Sequence, residues 1–270
     1  MELEELNEYF NQLSQSKVHF FKSIDSTNTY AKNLLEQTDG LEKNIRSLNK
    51  NVVVAESQTA GRGRLGRKFY SPAQTGIYIS IIYVPDEKIT NPAKITAFSA
   101  VALKRAIERL YKKNTQIKWI NDLYLNGKKI AGILTEGFIN YKTGTVDAAV
   151  VGIGVNIQNN EAIPSELKST VGSINDSNDN TSIPAEKFIF EIVKEFFNIM
   201  EENQESVISE YKNASFILGT KITVHPVIES SDGIYEATAI DIDNEANLVV
   251  KLADGSIKTL NSGEVSLHNF

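Results

Sequence analysis

Four short segments carry residue types and spacings that could do chemistry. The first is Gln58-Thr-Ala-Gly61-Arg62-Gly63-Arg64-Leu65-Gly66-Arg67-Lys68. Three glycines in six residues deny it a stable helix or strand, and three arginines and a lysine in seven repel one another. The spacing predicts a segment that is mobile until a phosphate or carboxylate folds it, held by bidentate guanidinium hydrogen bonds. A solvated basic loop and an RNA-binding Arg-Gly segment are competing readings. The P-loop pattern Gly-x4-Gly-Lys-Ser/Thr is absent.

The second segment is Lys118-Trp119-Ile120-Asn121-Asp122, running on to Lys129-Ile-Ala-Gly132-Ile-Leu-Thr-Glu136. It holds the one tryptophan of the chain. Lys129 alternates with apolar positions on a strand fit for burial, which is costly unless the ammonium meets an anion. Gly132 in that strand leaves room for a ligand or a second backbone. A hairpin end merely decorated by Lys128 and Lys129 fits equally well. The third segment, Gly152-Ile-Gly154-Val-Asn156, ends a strand and leads into a polar loop, not a helix, so it is no dinucleotide fingerprint. Its glycines make space, and the Asn156 amide could read a purine edge. A plain strand end is the other reading. The fourth, Ser26-Thr27-Asn28, is a helix N-cap that also offers free N–H groups to a polar ligand.

Elements must position these groups. Leu3, Leu6, Tyr9, Phe10 and Leu13 mark a short first helix, Val18–Phe21 a strand, and Tyr30 onward a second helix. Val52–Glu56 and Gly76–Val84 read as buried strands. Proline suits the first turn of a helix from about Pro92 to Lys113, striped by Ile95, Phe98, Ala102, Ala106 and Leu110. Asn126-Gly127 suits a type I′ hairpin turn between Asp122–Leu125 and Lys128–Glu136. A strand from Thr145 to Ile157 completes a sheet of five to seven strands. The connection from Ile157 to Ile183 is polar, and a helix is expected from Ala185 to Glu205. After Gly219 come short strands separated by turns at Asp232-Gly, Asn244–Asn247 and Asp254-Gly, a small-barrel texture.

Composition bounds the function. The 270 residues are 41% hydrophobic and 23% charged, enough to bury a core. A formal charge of −6 is not the global basic field that duplex DNA favours. With no cysteine, disulfides, thiol catalysis and cysteine-held metals are excluded. Three scattered histidines (His19, His225, His268) argue against a histidine metal centre. The start is acidic, unlike a secretory signal, and the longest apolar run, Ile77–Val84, falls short of the roughly 18 residues that cross a bilayer. A soluble cytoplasmic protein is expected.

Taken in order, Ser26-Thr-Asn28, Gln58-x2-Gly-Arg-Gly-Arg-x-Gly-Arg67, Lys118-Trp-x-Asn-Asp-x-Tyr124, Lys129-x-Ala-Gly-Ile-Leu-x-Glu136 and Gly152-x-Gly-x-Asn156 resemble the biotin–protein ligase family, from about Phe20 to Ile157. Ser262-Gly-Glu-Val-Ser-Leu267 resembles the close of that family's C-terminal barrel. The resemblance implies an α+β fold: a central mixed sheet with helices packed on one side, class II synthetase-like, plus a small SH3-like barrel. We expect a catalytic domain at 1–217 and the barrel at 218–270.

It also implies the reaction. Biotin's carboxylate attacks the α-phosphorus of ATP, giving biotinyl-5′-AMP and pyrophosphate, and a lysine of a biotin carboxyl carrier protein then takes the biotin. Carried over by motif, Arg64, Arg67 and Lys129 are the catalytic cations. Ser26, Thr27, Asn28, Gln58, Arg62, Gly63, Arg64, Lys129 and Gly132 face biotin, with Arg62 and Gly63 acting mainly through backbone N–H groups. Arg64, Arg67, Phe69, Asn121 and Asn156 face the nucleotide, and Asp122 touches Mg²⁺. ATP and Mg²⁺ enter as a substrate complex. A ligand-promoted homodimer is plausible for the family. Two positions depart from it: Ile120 stands where proline is frequent, and Phe69 where tryptophan is. Twenty-five residues precede Ser26, too few for the family's winged helix-turn-helix, so a ligase that does not bind DNA is expected. Arg64, flanked by glycines, shows no packing role. A lipoate or octanoate ligase of related fold, and a non-enzymatic anion or RNA binder, remain the alternatives.

Overall fold

The computed structural model describes residues 1–13, 16–38, 40–159, 163–175, 181–226 and 233–267. Asp232 of one expected turn, His268, and parts of the polar connection lie outside the described residues. In chain order the first part comprises α1 (Leu3–Phe10), β1 (Lys17–Phe21), α2 (Thr27–Glu36), α3 (Glu42–Arg46), β2 (Asn51–Ala55), β3 (Gly76–Tyr83), α4 (Pro92–Tyr111), β4 (Gln116–Lys118), β5 (Asp122–Leu125), β6 (Lys128–Ile139), β7 (Val146–Asn156), α5 (Ala185–Glu201) and α6 (Gln204–Ala214). Its strands form one seven-stranded sheet in the order β1-β2-β3-β7-β6-β5-β4. Within it β1 and β2 run parallel, and the other neighbours are antiparallel.

The pleat divides this sheet between two apolar clusters. Val52, Val54, Ile77, Ile79, Ile81, Val151, Ile153 and Val155 face the main helical layer, where α4 and α5 bring Phe98, Val101, Phe188 and Phe196. Val53, Ile82, Val150 and Phe138 face the other way, against Ala31 and Leu35 of α2 and Ile45 of α3. The principal helical layer is thus on one side, as expected, while α2 and α3 cover one end of the opposite face. The rest of that face is glycine-rich and becomes the site.

The helix expected to run to Glu205 stops at Glu201 and restarts as α6, capped by Asn203, whose side chain accepts from the Ser206 N–H at 3.1 Å. The Asn126-Gly127 turn has φ of 51° and 75°, the two positive values a type I′ turn requires.

The C-terminal strands β8 (Lys221–His225), β9 (Tyr235–Ile242), β10 (Leu248–Lys251), β11 (Ile257–Leu260) and β12 (Glu264–Leu267) make a five-stranded antiparallel sheet, order β11-β10-β9-β8-β12. It is joined to the first part by specific bonds. The Trp119 indole N–H donates to the Ala246 carbonyl at 2.9 Å, and Asn91 and Lys94 at the start of α4 reach Glu245.

Candidate functional site

Gly132 and Gly154 lie on the part of the β6–β7 face that α2 leaves uncovered, Gly152 lies under the first turn of α2, and the space all three open is filled. A Cβ on Gly152 would stand 2.2 Å from Asn28 Oδ1, and one on Gly154 would stand 2.5 Å from the Phe69 ring. At Gly132 the neighbours are Lys129 and Phe69, each at 3.3 Å. The glycines therefore admit one amide, one aromatic ring and one lysine to the sheet surface.

The floor of the cleft is polar and buried. Ser26 caps α2 through its Oγ, which accepts from the Thr29 N–H, and Ser26, Thr27 and Asn28 are 2–3% exposed. Thr27 donates from both its N–H and its hydroxyl to Gln58 Oε1, at 2.9 and 3.1 Å. Gln58 in turn donates to Ser71 Oγ. Ser80 of β3 lies within 2.6 Å of Asn28 Oδ1 and 2.8 Å of Thr27 Oγ1. Fixed rotamers and a chain of hydrogen bonds make this floor rigid.

The Gly-Arg segment is a short hairpin lying over the cleft. The Phe69 N–H donates to the Gly61 carbonyl, and the Gly63 N–H to that of Arg67 at 2.8 Å, with Leu65 and Gly66 in positive φ at the tip. The sequence suggests a run of like charges awaiting an anion. The structure instead gives each guanidinium a partner within the protein. Arg62 pairs with Glu136, and Arg67 makes a two-pronged bond to Glu264 of β12, at 2.6 and 2.5 Å. Arg64, half-buried, donates to Asn121 Oδ1 at 3.1 Å and to the Gly263 carbonyl at 2.9 Å. Burial pushes its guanidinium below the ordinary value, against the pull of Asp122 and Glu264. The expectation that Arg64 has no packing role is corrected: it ties the hairpin to both sheets.

Lys129 does meet an anion. Its Nζ lies 2.7 Å from Asp122 Oδ1 across the β5–β6 pair, and the Asn121 amide donates to the same oxygen. Lys118 stands close by, its ammonium pushed below its ordinary value chiefly by burial, against the attraction of Asp122 and Glu264. Beyond Phe69 and Lys129 the cleft continues into a second one, lined by Tyr70, Tyr124, Ala131, Asn156 and Val171. There the Asn156 amide donates to the Gly172 carbonyl at 3.1 Å.

Every candidate site residue read from the sequence thus lies in these two adjoining clefts. Lys118, Ser80 and Glu264 also line or support them without having been assigned a role. Lys118 sits inside one of the motifs. Ser80, by contrast, is a lone polar residue within the apolar run of β3, a signal in itself. Among the described residues no group of three metal-ligating side chains comes together, and no helix is long and apolar enough to cross a membrane.

The chain has relatives in sequence and in fold. The chain is similar to the bifunctional ligase/repressor BirA of Bacillus spizizenii, 30% identical over 220 residues, which are 80% of this chain and 66% of that protein. It is 26% identical over 223 residues to the biotin–[acetyl-CoA-carboxylase] ligase of Mycobacterium tuberculosis, 79% of this chain and 77% of that one. Its fold matches the biotin protein ligase of Aquifex aeolicus solved with biotin and ATP, at a TM-score of 0.72 and 24% identity, covering 93% of this chain and 98% of that one. Residues 227–268 match the biotin protein ligase C-terminal domain. Residues 20–156, half of the sequence and all the segments of the first sheet's glycine-rich face, match the biotin/lipoate A/B protein ligase family, and the chain belongs to that family.

Proposed function

We propose that this chain is a biotin–protein ligase, joining biotin to ATP as biotinyl-5′-AMP and passing it to a lysine of a carboxyl carrier protein. One observation carries the reading. A rigid, neutral, hydrogen-bonding floor adjoins four cations that line both clefts where they join, Arg67, Lys68, Lys118 and Lys129, with Arg64 beside them in the first. The first cleft suits an uncharged polar head with a carboxylate tail, and the second a nucleotide. The C-terminal match at residues 227–268 favours biotin over lipoate, and the similar Aquifex aeolicus ligase was solved in complex with biotin and ATP.

On this reading residues 1–217 form the catalytic unit and 218–270 a second unit that contributes Gly263 and Glu264. Thr27, Asn28 and Gln58 orient the biotin head. The carboxylate and the α-phosphate are both anions, so their approach needs cations already in place. Lys129 stands at the junction, and Arg64 and Arg67 flank it. A carboxylate oxygen attacks the α-phosphorus, the bond to the bridging oxygen breaks, and pyrophosphate leaves. The anhydride's carbonyl is then attacked by an uncharged lysine amine, which loses a proton as AMP departs. Mg²⁺ arrives as part of the nucleotide substrate, and Asp122 is the carboxylate placed to touch it; one protein carboxylate completed by phosphate and water suits that ion. Phe69, between Gly132 and Gly154, is placed to stack on the adenine. The Gly-Arg hairpin shields the anhydride from water.

Biotin-dependent exchange of labelled pyrophosphate into ATP tests the proposal, run beside lipoate and octanoate. Exchange with biotin alone supports it. Exchange with lipoate or octanoate in its place assigns the chain to the other branch of the family, and single-stranded RNA binding without nucleotide turnover removes enzymatic function.

A further inference from the structure

Glu136 closes one of the sequence motifs, yet the reaction just described gives it no task. It stands on β6 on the same face as Gly132, with its side chain 17% exposed. Four donors from two separate segments converge on its carboxylate. Asn28 of α2 donates from Nδ2 to Oε2 at 2.9 Å, and Lys32, one turn further along α2, reaches Oε1 at 3.3 Å. From the hairpin, Arg62 reaches both oxygens, Nη1 to Oε2 at 3.1 Å and Nη2 to Oε1 at 2.9 Å. Asn28 is the floor residue over Gly152. Its remaining bonds run to the Leu134 carbonyl and from Ser80, so the amide has one orientation only. A two-pronged guanidinium bond fixes direction as well as distance. Burial pushes the Glu136 carboxyl up, but the Asn28 hydrogen bond and the charges of Lys32 and Arg62 outweigh it, and the group is held below its ordinary value.

We propose that Glu136 is a positioning residue that fastens the first arginine of the hairpin to the floor of the acid pocket, so that hairpin closure and the order of the floor depend on each other. The inference rests on the functional reading above and deepens it: the residue touches neither substrate, and acts through Arg62 on one side and Asn28 on the other. A ligand seated on the fixed Asn28 amide thereby steadies the carboxylate that holds Arg62, and the acyl-adenylate is retained by a hairpin anchored at Glu136 as well as at Glu264.

The test uses the full chain and four variants: E136Q, R62A, the double variant R62A/E136Q and K32M. The Gln side chain keeps the volume and an oxygen for Asn28 but loses the charge that holds Arg62. The first readout is the release rate of preformed biotinyl-adenylate; the second is the rate of tryptic cleavage at residues 62–68. We expect E136Q and R62A each to release the adenylate at least fivefold faster, and the double variant to match R62A within twofold, because both changes remove one link. Cleavage is expected to quicken by a similar factor in E136Q. K32M, which leaves the Arg62–Glu136 bond in place, is expected to match the native chain in both. Native release from E136Q, multiplied effects in the double variant, or K32M behaving like E136Q each overturn the inference. If the native chain forms no adenylate, the functional reading falls, and tryptic cleavage still decides the link: unchanged cleavage in E136Q refutes it.

Discussion

The indole N–H of Trp119 donates to the carbonyl of Ala246, 127 residues along the chain, at 2.9 Å and out of contact with solvent. Trp119 immediately precedes Ile120-Asn121-Asp122, and the residue is 3% exposed. Replacing it with Phe removes the side-chain donor that meets this buried carbonyl. We expect a loss of roughly 1–3 kcal/mol, the cost of an unpaired buried acceptor plus lost contact. Urea unfolding of the W119F variant checks this; a native midpoint would mean that the bond is dispensable.

Lys129→Ala and Arg64→Ala are expected to fail differently. The Lys129–Asp122 pair is partly open to solvent, so its loss changes stability by less than about 1 kcal/mol. Adenylate formation, measured by pyrophosphate exchange, is expected to fall at least tenfold, about 1.4 kcal/mol. Arg64→Ala removes bonds to Asn121 and Gly263, so it is expected both to lower the thermal midpoint and to hasten loss of the intermediate. An Arg64→Ala protein of native stability would contradict its bridging role.

The two β7 glycines face different groups, Asn28 and Phe69, and on the proposed function their enlargement is expected to harm different ligands. Gly152→Ala drives a methyl into Asn28, which is pinned by Ser80, Glu136 and Leu134 and cannot swing away without breaking those bonds. Gly154→Ala pushes on the Phe69 ring instead. Calorimetric titration is expected to show biotin affinity falling at least tenfold for Gly152→Ala, and ATP affinity bearing the larger loss for Gly154→Ala. Equal losses of both ligands in both variants would refute this division.

Acid should weaken the Glu136 link. A carboxylate held below its unfolded-state value contributes stability that is complete above that unfolded value and is lost as pH falls through the folded one. The native chain is therefore expected to melt above E136Q at about pH 7, with the gap closing towards about pH 4 and below. Thermal melts of both across that range check the sign; a gap that widens in acid reverses the assignment.

The sequence made most of the strands, the Asn126-Gly127 turn and the cleft-lining segments legible because each is local: a period of two, a pair of positive φ values, a run of one chemistry; β4 and β12, three and four residues long, were too short to read. What it concealed is the partners. Arg62 finds Glu136 at a separation of 74 residues, and Arg67 finds Glu264 at 197, and no periodicity encodes either meeting. The strand glycines could be read as space, but not as space for Asn28 and Phe69. Helix α6 was hidden because only Val207, Ile208 and Tyr211 of its residues are buried, too thin a stripe to stand out beside α5. Helix α3 is five residues long, too short for any pattern.

Gly263 and Glu264 grip two arginines of a hairpin that lies in the connection between β2 and β3, on the first part of the chain. The far end of the chain is therefore a working part of the cover, like the catch on a box. A small shift of β12 would pull on Arg64 and Arg67 together, and severing the chain after Gly219 would take from Arg67 its carboxylate partner and leave Arg64 only Asn121, while no bond of the floor at Asn28 would be lost.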